Sequence, residues 1–155
     1  MRRRTLFARI PVLLAPALLG LPGPARAQAF PRSINHAGGV ALAGFDAVAW
    51  FDERRPRRGN PAFLAEHAGV AWHFASAANL VRFEAAPAAH MPRFGGFCAY
   101  GVARGYKVDI DPEAWHIHAG SLYLNYDRGV QRQWQRDIPG FIARAEANWP
   151  GIAEA

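Results

Sequence analysis

A single cysteine, Cys98, in a chain that opens on an export leader narrows what this sequence can fold into: no internal disulfide is available, and packing must hold the fold. The leader, "MRRRTLFARIPVLLAPALLGLPGPARA", has a basic start, an apolar stretch from about Ile10 to Leu21, and the small-x-small pattern Ala25-Arg26-Ala27. Cleavage is expected after Ala27. Pro11, Pro16 and Pro22 break the apolar run, which falls short of the roughly 20 residues a spanning helix needs. No membrane span is therefore expected after cleavage. Adjacent arginines followed by Thr5, Leu6 and Phe7, with Arg26 beside the cleavage site, point to twin-arginine export and a periplasmic location.

Removing the leader also removes the basic excess. Five of the 18 Lys and Arg lie in it (Arg2, Arg3, Arg4, Arg9 and Arg26), which leaves 13 against 12 Asp and Glu, a net charge of +1. No nucleic-acid partner is expected of such a chain. The cluster Arg54, Arg55, Arg57 and Arg58 reads as a solvated turn around Pro56. Residues 28–155, 128 in all, suffice for one domain with a real hydrophobic core.

Patterning predicts a small α+β domain, with an antiparallel hairpin or sheet packed by helices and a helical C-terminus. The chain is expected to be loose over 28–43, with the domain over 44–150 and a tail over 151–155. A short helix or extended segment is read at Ala47 to Phe51. Phe63 to Glu66 and Val70 to Phe74, split by His67-Ala68-Gly69, read as a β-hairpin. Ser76 sits where an N-cap belongs, ahead of a helix that Pro87 stops. A short helix is expected over Phe97 to Ala103, ended by Gly105. "SLYLNY" alternates Leu122 and Leu124 against Tyr123 and Asn125, which suits a strand after the turn at Ala119-Gly120. At the C-terminus, Asp137 can cap a new helix and Pro139 fits its first turn, giving two helices or one with a bend.

The segments "GFDAVAWF", "WHFASAANLVRFEAAP", "RFGGFCAYGVARGYKVDIDPEAW", "GSLYLNYDRGV" and "DIPGFIARAEANWP" resemble, in order and spacing, the exported bacterial YHS-domain proteins. The resemblance covers nearly all of Gly44 to Pro150. The Tyr-His-Ser signature appears here as Trp72, His73 and Ser76, with Trp in the tyrosine's place. Related modules in heavy-metal proteins carry metal-binding cysteines near this hairpin and helix, whereas Ala75 to Asn79 contains none. Members of the exported branch are described as selenoproteins; the resemblance implies that selenocysteine falls at the position of Cys98, and hence redox chemistry there.

Three readings of Cys98 follow. As a working thiol it needs a pKa lowered by helix amides, a cation or a histidine, with Gly95-Gly96 allowing close backbone approach; His73 is the candidate partner. Lacking a resolving cysteine, it would cycle through sulfenic acid or a mixed disulfide, with a small thiol or a peroxide as partner. As a ligand it would join His73, His90, His116 and His118 in holding copper or zinc, the last two sharing a strand face in "WHIH". A small-ligand module without catalysis belongs to the same alternative. In the third reading it is a small apolar core residue between Phe97 and Tyr100. Trp50, Trp72, Trp115, Trp134 and Trp149 read as packing groups. "DIDPE", Asp109 to Glu113, lacks the glycine and distant glutamate of a calcium loop and reads as a turn and helix cap.

Overall fold

In the computed structural model residues 29–155 are described; the expected leader, cleavage site and export signal lie outside them. The first half is built on a four-stranded sheet in the order β1-β2-β4-β3: β1 (His36–Ala37), β2 (Val40–Ala41), β3 (Asn60–His67) and β4 (Val70–Phe74). β3 and β4 form the expected hairpin, turned by Ala68 and Gly69 with φ of 52° and 79°. Val70, Trp72 and Phe74 alternate into the core, as the period of two requires. α1 (Ala49–Asp52) follows the first strands, and α2 (Ala77–Ala85) covers the sheet. Ser76 Oγ caps α2 by accepting the Asn79 N–H at 3.1 Å, and Phe83 from α2 packs on Trp72 and Phe74 with ring centroids 5.2 and 5.0 Å away. Pro87 ends α2 and starts the single turn α3 (Pro87–His90).

The second half pairs β5 (Asp111–His118) with β6 (Ser121–Asn125) and surrounds them with α4 (Ala99–Ala103), α5 (Arg128–Trp134) and α6 (Ile138–Ile152). Asp127 and Asp137 cap α5 and α6 by accepting the N–H groups of Val130 and Gly140. The mixed helix and strand content, the antiparallel hairpins and the helical C-terminus are those of the expected α+β class.

Two local expectations are corrected, and two other segments gain detail. The segment read as loose over 28–43 supplies two strands and buries Ile34, Ala41 and Leu42, because its apolar residues complete the first sheet. Asp109 to Glu113 leads into a strand rather than a helix; Asp109 and Asp111 accept nearby backbone N–H groups, which makes the turn without the helix. Among the four arginines, Arg54, Arg55 and Arg58 are exposed, as a solvated turn requires; Arg55 and Arg57 pair with Glu53 and Arg58 lies over the Phe45 ring. β6, finally, is buried on both faces: Leu122 and Leu124 join the first core while Tyr123 joins a second, with Phe94, Trp134 and Ala145. Alternation along β6 separates two cores instead of core from solvent, and Asn125, in phase with Tyr123, is fully buried.

The Gly95-Gly96 pair has a structural reason. Asn35 lies across it, donating its backbone N–H to Gly95 O at 2.8 Å and its side-chain amide to Gly96 O at 3.1 Å. Gly95 has φ of 60°, and a Cβ there would stand 1.8 Å from Ser33 O. The pair lets the N-terminal segment pass over the loop that leads to Cys98, joining the two halves.

Candidate functional site: a buried thiol beneath an apolar cavity

Cys98 is itself the N-cap of α4, one residue past where the helix was expected to begin. Its backbone is tied on both sides, by N–H donation to Val108 O at 3.0 Å and by a bridge to Leu124. Its Sγ accepts the Gly101 N–H at 3.4 Å, and its S–H faces Asn125 Oδ1 at 3.9 Å. The residue is 1% exposed. Burial pushes the thiol above its ordinary pKa; the backbone N–H groups of Gly101, Tyr126 and Tyr100 act in the opposite direction, and the Asp127 carboxylate adds to the rise. The resting group is thus a neutral thiol, contrary to the lowered pKa expected of a pre-activated one.

Cys98 forms part of the wall of a cavity of about 240 Å³, completed by Tyr100, Tyr106, Val108, Tyr126 and Val130. Tyr106 and Tyr126 are each 52% exposed and stand at its rim. Tyr100 is fixed from behind by Phe141, with ring centroids 4.9 Å apart. The site is therefore a buried cysteine in the wall of an aromatic recess, with backbone N–H donors near its sulfur and no cation among the lining residues.

The histidines do not join it. His73 lies on β4 opposite Leu64, its Nδ1 3.7 Å from where a side chain on Gly44 would start, and it does not line the cavity. His90 bonds through Nδ1 to Ala86 O and meets the edge of Phe51. His116 and His118 share a face of β5, as strand geometry required, and stack with centroids 6.3 Å apart. Burial, and then the neighbouring His118 charge, lower the His116 pKa. Among the described residues no three of His, Cys, Asp and Glu come close enough to hold a metal ion. Cys98, His73, His90, His116 and His118 are thus distributed over separate parts of the fold rather than gathered as one ligand set.

Two buried polar residues escaped the sequence reading. Asp46, 0% exposed, accepts the backbone N–H groups of Val48, Ala49 and Ala75 and the Asn79 side-chain amide, at 2.8, 3.3, 2.7 and 2.7 Å. A carboxylate inside the apolar run "GFDAVAWF" was the available signal. Asn125 carries no such local signal, because its burial depends on α4 and the rest of the second half packing against β6. As expected, the tryptophans pack: Trp50, Trp72 and Trp134 are fully buried, and Trp115 and Trp149 lie against the two cores. No helix among the described residues is long and apolar enough to cross a membrane.

No family model matches this chain, and no curated protein or solved structure is similar to it.

Proposed function

We propose that this is an exported, periplasmic YHS-domain protein whose function is thiol-based, carried by Cys98. The observation that supports this most strongly is the placement of the one sulfur nucleophile on the wall of a cavity with aromatic sides and an exposed aromatic rim. A cysteine used for packing alone needs no such recess. The three backbone N–H groups around Sγ favour the anion over the bulk-like apolar surroundings, so the thiolate, once formed, is held. With one cysteine in the sequence, a reversible cycle passes through a sulfenic acid or a mixed disulfide with an outside small thiol.

The raised thiol pKa and apolar walls favour a second reading, a module that binds a small apolar ligand above an inert sulfur. One experiment separates the two. The mature protein is treated with a hydroperoxide, sulfenic acid is trapped with dimedone, and intact mass is recorded beside Cys98→Ser. The thiol-based reading expects one adduct on the folded wild-type protein. Reaction only after urea unfolding, with a hydrophobic probe still bound by Cys98→Ser, would leave the binding module.

A further inference from the structure

The Asn125 carboxamide is a buried polar group with unused hydrogen-bonding capacity. It is 0% exposed, its Oδ1 stands 3.9 Å from Cys98 Sγ, and its Nδ2 has no hydrogen-bond partner among the described residues. A buried donor left unpaired carries its full desolvation penalty, so the arrangement asks for a use. The two ends of a carboxamide exchange places by a half-turn about χ2. One orientation accepts the proton-bearing S–H; the other donates N–H to a sulfur anion. The same side chain thereby serves both protonation states of Cys98.

The cavity above that sulfur is selective in its own way. Its walls are tyrosine rings and valine side chains, and its volume is about 240 Å³. A dry cavity of roughly 150 Å³ takes benzene, so this one has room for a single ring with a short substituent. Rings held among Tyr100, Tyr106 and Tyr126 gain from apolar burial and aromatic contact, whereas hydrogen peroxide gains from neither.

We propose that the Cys98 cavity admits a small, ring-bearing apolar hydroperoxide, and that Asn125 turns its amide to donate to the sulfur as the thiolate forms; this rests on the thiol-based reading above. In the reaction the sulfur attacks the terminal peroxide oxygen and the O–O bond breaks. Cys98 becomes a sulfenic acid, oxidised by two electrons, and the hydroperoxide becomes an alcohol whose alkoxide oxygen takes the proton given up by the thiol. An external small thiol then displaces water to form a mixed disulfide, and a second one restores Cys98 as a free thiol with release of the external disulfide. Asn125 acts here as a positioning residue.

The test compares cumene hydroperoxide with hydrogen peroxide on the mature protein, following dimedone-trapped sulfenic acid by intact mass. Cumene hydroperoxide is expected to react about tenfold faster or more, the discrimination that burying one ring sustains. Val130→Trp, which fills the recess, should slow cumene hydroperoxide more than hydrogen peroxide and so erase that preference. Asn125→Leu, with native near-UV circular dichroism, should slow oxidation about tenfold, the size of one charge-assisted hydrogen bond, and move its pH midpoint upward. Asn125→Ser replaces it if the leucine variant does not fold. Equal rates for both peroxides, each above that of free cysteine, overturn the substrate class while the thiol-based reading stands. A preference that survives Val130→Trp overturns the cavity as its source, and an unchanged pH profile in the Asn125 variant overturns the role of the amide. No oxidation of the folded protein by either peroxide removes the thiol-based reading itself.

Discussion

Asp46 and Asn125 are both fully buried, one in each half of the molecule, and they are treated in opposite ways. Around Asp46, four N–H donors meet one carboxylate: Val48 and Ala49 at the start of α1, Ala75 just past β4, and the Asn79 side chain of α2. Around Asn125, one weak contact to sulfur is made and the amide nitrogen is left over. The first is a joint that ties the hairpin to its covering helices. The second is spare hydrogen-bonding capacity beside the only thiol and an aromatic recess. A buried polar group whose bonds are complete has its role accounted for by the fold, whereas one with bonds to spare directs attention to chemistry.

The largest expected effect follows from the complete side of this contrast. Asp46→Ala strands several buried N–H donors and should lower stability by about 3 kcal/mol or more, read from the shift in urea midpoint at unchanged slope. A loss below about 1 kcal/mol would mean that water satisfies those donors and that the joint is not structural.

Next comes the crossing that joins the halves. Gly95→Ala places a side chain against Ser33 O in left-handed backbone, and should cost more than the ~1–2 kcal/mol of that conformation alone. Gly105→Ala shares the positive φ but meets no atom within 4 Å, so the difference between the two melts isolates the crossing.

The incomplete side predicts a small number. Asn125→Leu removes an unpaired donor in favour of a side chain of similar volume, and its stability should stay within about 1 kcal/mol of wild type. A loss as large as that of Asp46→Ala would break the comparison.

The smallest effect concerns His116. Its pKa is lowered in the fold, so the unfolded chain takes up the proton first as pH falls below the ordinary histidine value of about 6.5. Stability from this group is therefore present above that value and lost as pH drops through the lowered one. His118→Gln, which removes the neighbouring charge, should show a smaller fall in melting temperature between pH 7.5 and pH 5 than wild type.

Much of the fold was legible because its signals are local. The alternation of Val70, Trp72 and Phe74, the caps at Ser76 and Asp137, and the stop at Pro87 each act within a few residues, and each is where the patterning expected it. The site was legible only in part. Cys98 marked itself by being alone, but its burial, its cavity and its separation from the candidate histidines depend on how α4, α5 and β6 assemble. Asn125 shows the limit most clearly: the period of two gave its phase correctly, yet the chain alone does not say that both faces of β6 are covered. The Gly-Gly pair likewise stands out beside the thiol, while its purpose is the chain crossing of Ser33 to Asn35.

The central claim is that Cys98 is reached through the recess in the folded state. The direct test is the rate of its modification by a neutral benzyl methanethiosulfonate and by a charged sulfonatoethyl analogue, across pH, on the folded mature protein. Preferential native labelling by the benzyl reagent, with a midpoint above the free-cysteine value of about 8.5, is the predicted result. Equal labelling by both reagents that appears only in unfolding concentrations of urea would contradict it, and would make Cys98 a packing residue.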